Sequence, residues 1–114
     1  MEFNIKFYKT ATQKPIDDFI LSLGENTQIK FYALLKRLRE NPFGLKDCTR
    51  KLTKELYELK LYYSKKWFRI IYAFYQGKII ILLHGFIKKK KRTPKKEIKI
   101  AEQRLLAYKK TGGK

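Results

Sequence analysis

One cysteine, one histidine, three prolines and ten acidic residues are all that a chain of 114 residues offers of these types. The lone Cys48 cannot close an internal disulfide, and one cysteine with one histidine supplies no zinc-ligand set, so neither a disulfide scaffold nor a metal centre is expected. Long apolar runs are missing as well. The longest aliphatic stretch, Ile79 to Leu83, is far short of the roughly 20 residues that span a bilayer. The amino terminus, MEFNIKF, has no basic segment leading into an apolar one. These absences point to a cytoplasmic protein with no membrane partner and no cofactor. There are no internal repeats and no linker-like segment, and the length suits one core, so residues 1–114 are read as a single domain.

What the chain has in abundance is positive charge. Twenty-eight Lys and Arg against ten Asp and Glu give a formal +18, an imbalance that in a small domain points to a polyanionic partner, RNA or DNA ahead of an acidic protein. Apolar types make up 44% and aromatic types 15%, enough to build a core, so this is not a disordered basic tail. Scattered lysines such as Lys6, Lys9 and Lys30 are adequately explained as solvated surface. The segment Lys88 to Lys96 (KKKKRTPKK) is different: seven of its nine residues are basic, a density suited to facing phosphates or an acidic segment.

Phe3, Ile5 and Phe7 alternate with polar neighbours, the pattern of a half-buried strand. Pro15 can open a helix, Asp17 and Asp18 fall in its first turn, and Ile16, Phe19, Ile20 and Leu23 form its apolar stripe before Gly24. A second helix, from about Thr27 to the Glu40-Asn41-Pro42 stop, is expected to bury Ile29, Tyr32, Leu35 and Leu38 and to form a hairpin with the first. Residues 41–54 have no clear period and are expected to be a loop. Three β-rich runs, Leu56 to Tyr63, Trp67 to Tyr75 and Lys78 to about Phe86, read as an antiparallel meander with turns at Ser64-Lys65 and Gln76-Gly77. Thr93-Pro94 then starts a terminal helix with Ile98, Ala101, Leu105 and Tyr108 on one stripe, ended by Gly112-Gly113. The expected class is α+β: a small antiparallel sheet, a helical hairpin packed on one face, and a C-terminal helix.

Alternation also assigns faces. In the middle run Phe68, Ile70, Tyr72 and Phe74 share one side, while Trp67, Arg69, Ile71, Ala73 and Tyr75 take the other. Arg69 is the one charge in that apolar strand. Glu58, Lys60 and Tyr62 of the preceding run can gather with it on an open, concave face, where Arg69 either holds an anionic ligand or pairs with Glu58 across neighbouring strands. His84 lies on the same side as Lys88, as an acid, base or RNA-stacking group or as a strand residue bonded to backbone. Gly85 between them is expected to mark a bulge or the close approach of another backbone.

The string LYELK followed by WFRIIYAFYQGKIIILLHGFIKKKKRTPKKEIKIAEQRLLAY resembles the phage-derived, HigB-like branch of the RelE/ParE toxin superfamily over Leu56 to Tyr108. The pattern comprises a Leu-x-Glu-Leu-Arg strand, an Arg-Ile/Val-hydrophobic strand, a Leu-Leu-His-x-Phe strand, a Lys-Lys-x-x-Lys-Thr-Pro turn and a helix opening with Glu-Ile. Four positions depart from it. Lys60 stands for the usual arginine and cannot make its bidentate phosphate contact, Arg92 stands for the usual lysine, and Lys90-Lys91 replace a common Thr-Gln pair.

The resemblance implies a RelE-like fold and a type II toxin that cleaves mRNA in the decoding site of the translating 70S ribosome, held in check by a helix-turn-helix antitoxin. Its implied chemistry is metal-free attack of a ribose 2′-OH on the adjacent phosphate. That reaction needs a proton acceptor, stabilisation of the phosphoryl oxygens and a donor to the leaving oxygen. Cations must do this work here. Arg69, Lys88, Lys89 and Lys60 are the catalytic candidates, with Lys88 or Lys89 as the base and Arg69 on the phosphate; His84, Lys91, Arg92, Lys95 and Lys96 are candidates for RNA binding. Two rivals have other signatures. A ParE-like gyrase inhibitor on the same fold would leave translation running and induce DNA damage, and a non-catalytic RNA- or ribosome-binding protein would leave mRNA whole.

Overall fold

The computed structural model describes residues 2–88 and 92–113. Its elements run β1 (Asn4–Phe7), α1 (Pro15–Leu21), α2 (Glu25–Glu40), β2 (Thr49–Lys51), β3 (Tyr57–Tyr63), β4 (Lys66–Tyr75), β5 (Ile79–Lys88) and α3 (Lys95–Lys110). The strands make one sheet in the order β1-β5-β4-β3-β2. β2 to β5 pair antiparallel with their neighbours, as the meander requires, but β1 joins β5 in parallel, so the sheet is mixed rather than wholly antiparallel. A parallel neighbour needs a long crossover, and the whole span from α1 to β4 supplies it.

The sheet is apolar on both faces, which is why the middle strand carries hydrophobic residues at nearly every position. Phe68, Ile70 and Tyr72 pack under α1 and α2, against Ile16, Ile20, Phe31 and Leu38. Ile71 and Ala73, with Ile81 and Leu83 of β5, pack on the other side against Ala101, Leu105 and Tyr108 of α3. The α+β class and the stripe of α3 are as the periodicity indicates. In α2 the buried stripe is different from the expected one: Thr27, Phe31, Leu34, Leu35 and Leu38 face inward, whereas Ile29 and Tyr32 are 61% and 50% exposed. Residues 41–54 are not all loop either, since Thr49–Lys51 pairs with β3 as the sheet's edge.

Two local features place the site. Ser64 and Lys65 both take positive φ, +55° and +63°, and Tyr63 pairs with Lys66 around them, giving a two-residue turn whose twist matches the β3–β4 hairpin without glycine or asparagine. In β5 the register slips: Ile71 opposes His84 while Tyr72 opposes Leu82, leaving Leu83 as the extra residue of a bulge. The bulge inverts the phase of the strand, so that His84, Phe86 and Lys88 lie opposite Ile71, Arg69 and Trp67 on the α3 face. Gly85 turns the other way, where a Cβ would collide with the ring of Phe19. It therefore marks the close approach of a helix side chain, two residues after the bulge.

Candidate functional site

On the α3 face, the strand register arranges side chains in three rows. Arg50, Glu58, Ile71 and His84 make one; Lys60, Arg69 and Phe86 the next; Tyr62, Trp67 and Lys88 the outermost. Cations from three adjacent strands, Lys60, Arg69 and Lys88, are thus brought within neighbouring rows.

Glu58 organises this array. Fully buried, it accepts a hydrogen bond from Arg69 Nη1 at 2.5 Å and one from Arg50 Nη2 at 3.4 Å on the same oxygen, and the Thr93 hydroxyl donates to its other oxygen. Arg69 is only 3% exposed. The cross-strand ion pair is therefore formed, and Arg69 lies under the surface rather than on an open concave face. Burying both charges takes them out of water, and the cost is offset only because carboxylate and guanidinium are held in contact with further donors. The Thr93 contact also ties the start of α3 to β3. Thr93 was expected to cap that helix; instead Pro94 stands at the N-cap position and the threonine hydroxyl is committed to Glu58.

Lys60 Nζ and the Arg69 guanidinium both lie 5.7 Å from the centre of the Trp67 ring, and Tyr62, 56% exposed, packs on Trp67 with ring centres 4.8 Å apart. Lys88 pairs with Trp67 across the strands and is buried, at 6% exposure, so β5 extends beyond Phe86 and its last lysine does not stand in solvent. Arg92, Lys95 and Lys96 are exposed at the start of α3. Lys89 and Lys91 lie outside the described residues.

His84 occupies the row of Glu58, apart from the Lys60–Arg69 pair, and makes its own contacts with α3. Its Nε2 is 2.9 Å from Glu97 Oε1 and its Nδ1 3.3 Å from Arg104 Nη1, which also donates to the Leu83 carbonyl at 2.8 Å. Arg104 can only donate, so a neutral ring accepts at Nδ1 and gives its Nε2 proton to Glu97. Burial lowers the pKa of His84; Glu97 opposes that shift and Arg104 adds to it. The folded protein thus binds fewer protons here than the unfolded chain, whose histidine titrates near about 6.5. Stability contributed by neutral His84 is complete above that value and is lost as pH falls toward the folded pKa. Urea melts between about pH 7 and pH 5.5 should show the unfolding free energy decreasing with acidity. His84→Gln should flatten that slope, and identical slopes in both proteins would exclude the assignment.

Several residues of this array escape sequence reasoning. Arg50 carries no signal because it sits in a three-residue polar edge strand, and Glu97 and Arg104 become visible as His84 partners only once the bulge sets the phase of β5. Trp67 and Tyr62, by contrast, share the face of Lys60 and Arg69 in the alternation, and only their contact with each other needs the structure. Among the described residues no group of three or more His, Cys, Asp or Glu could hold a metal ion, and no helix is long and apolar enough to cross a membrane. Chemically, the array offers one saturated carboxylate, several cations and an aromatic pair, a set suited to phosphate oxygens and bases.

No curated protein matches the chain. Solved structures do. The E. coli toxin RelE, as a double mutant in the free state, superposes with a TM-score of 0.62 at 16% identity, over 91% of this chain and 98% of that one. A chain of the archaeal RelE-RelB complex from Pyrococcus horikoshii OT3 gives 0.55 at 21%, over 82% and 100%. The isolated E. coli RelE toxin in another crystal form gives 0.53 at 15%, over 89% and 98%. At these identities the likeness establishes a RelE-like fold. The model of the family described as "Phage derived protein Gp49-like" matches residues 18–106, from α1 almost to the end of α3. The chain belongs to this phage-derived, Gp49-like family.

Proposed function

We propose that this protein is the toxin of a type II toxin–antitoxin pair, a cytoplasmic mRNA endonuclease that acts on the translating ribosome and is silenced by a helix-turn-helix antitoxin. The observation that carries this reading is the convergence of Lys60, Arg69 and Lys88 from three adjacent strands beside the Tyr62–Trp67 pair. Cations alternating with π-faces are what a single RNA strand needs, phosphates meeting charge and bases meeting rings. The RelE-like fold and the family match support the same class.

The reaction is an internal transfer. The 2′-oxygen bonds to phosphorus, the bond from phosphorus to the 5′-oxygen breaks, the 2′-proton goes to a lysine, and a cation returns a proton to the departing oxygen. The products are a 2′,3′-cyclic phosphate and a 5′-OH. Lys88 or Lys89 is the base, Lys88 lying buried at the end of β5 opposite Trp67 and one row from Arg69. Lys60 meets the phosphoryl oxygens and Arg69, buried and fixed by Glu58, adds positive charge beneath them, while Arg92, Lys95, Lys96, Lys91 and His84 contribute to the RNA-facing surface.

A site without a strong base depends on alignment of the 2′-OH, so the ribosome, by holding the strand splayed, supplies much of the rate. Purified protein should cut mRNA on programmed ribosomes and leave the same free RNA nearly untouched. Efficient ribosome-free cutting would contradict the proposal. Inhibition of DNA replication with translation intact would replace it with gyrase inhibition.

A further inference from the structure

On the sheet face opposite the candidate site, between the loop after α2 and the edge strand β2, lies a cleft of about 220 Å³. Its floor is aromatic. Tyr57 stacks on Tyr72 with ring centres 5.7 Å apart, and Phe43 stacks on Phe74 at 5.3 Å, each pair only 23° from parallel. Phe43 is 66% exposed although it is a large apolar ring, so one of its surfaces is left to solvent. The rim is basic: Lys46 and Lys51 line the cleft, both exposed, and Lys51 Nζ sits 5.8 Å above the Tyr57 ring.

From this we infer a base-stacking subsite for single-stranded RNA, with one base against Phe43 and Tyr57 and its flanking phosphates at Lys46 and Lys51. Flat ring faces recognise any base, and two flanking lysines recognise the backbone on either side of it. An acidic peptide would use the lysines but leave the exposed ring unmatched. β2 links this cleft to the other face of the sheet. Its Arg50 reaches across to Glu58 while the next residue, Lys51, covers Tyr57, so a strand passing over this edge meets positive charge continuously. The cleft would then hold RNA flanking the segment being cut, which rests on the nuclease proposed above.

The full chain can be tested with a short single-stranded RNA carrying 5-iodouridine. Irradiation should yield adducts on Phe43 or Tyr57, and Phe43→Leu should weaken equilibrium binding of the RNA about tenfold or more, the scale of one lost stacking contact. Phe43→Trp should restore it. Lys46→Ala with Lys51→Ala, both on the surface, should lower the salt dependence of binding by roughly 0.7 per lost phosphate contact, and this pair decides the matter if Phe43→Leu does not fold. Adducts confined to Tyr62 and Trp67 together with an unchanged salt slope overturn the subsite. So does binding of a polyglutamate peptide in the cleft that RNA cannot displace. Because binding is read without cleavage, loss of the subsite and absence of nuclease activity give different results.

Discussion

Glu58→Ala should destabilise the protein by about 3–5 kcal/mol, the usual consequence of removing one member of a buried ion pair. Glu58 has no exposed surface and Arg69 very little, so water cannot take over the carboxylate's role. For a chain of this length, that corresponds to a fall in melting temperature of roughly 10–20 °C. Arg69→Ala should cost less, because Glu58 keeps Arg50 and Thr93 as donors. The asymmetry separates the two roles of this pair. Arg69→Ala should abolish growth inhibition in a protein that remains folded and still binds its antitoxin, whereas Glu58→Ala should lose activity through lost structure. Equal melting temperatures for the two variants would mean that Glu58 does not organise the array.

The second large effect concerns the basic turn, where position should divide the lysines by task. Lys88 lies in the strand register beside Trp67, one row from Arg69, whereas Lys95 and Lys96 are exposed on the first turn of α3. Removing Lys88 and Lys89 together should lower single-turnover cleavage on pre-bound ribosomes by about a hundredfold or more, the scale of a lost acid or base, with a modest change in affinity. Removing Lys95 and Lys96 should do the reverse, weakening ribosome binding and cutting the salt slope by about two phosphate contacts while cleavage at saturation stays nearly intact. If both double variants bind more weakly and cleave normally once bound, the whole turn is an electrostatic anchor.

Much of this arrangement can be read from local patterns, because strand alternation depends only on the pleat. The faces of Trp67 to Tyr75 and the gathering of Glu58 and Lys60 with Arg69 follow from it, and the stripe of α3 follows as locally from the 3.6-residue period of a helix. What cannot be read locally depends on pairing. The stripe Ile29-Tyr32-Leu35-Leu38 advances by threes and so drifts around the helix, while the buried set mixes steps of three and four and stays on one side. β2 is too short and too polar to register as a strand without its partner β3. The bulge at Leu83 exists only relative to β4, yet it decides which way His84, Phe86 and Lys88 point. Charge density marks Lys88 as part of a basic segment, and only strand pairing with Trp67 shows that it is buried. The RNA candidates therefore resolve into a buried or partly buried group within the sheet, Arg69, Lys88, Lys60 and His84, and an exposed group at the start of α3.

Mapping of mRNA 5′ ends after inducing this protein in growing cells tests the central claim most directly. Cleavage on the ribosome predicts new 5′-OH ends at a fixed position within codons of translated messages, absent from the Arg69→Ala strain. Growth arrest with mRNA left whole, or cuts spread without regard to reading frame, would contradict it.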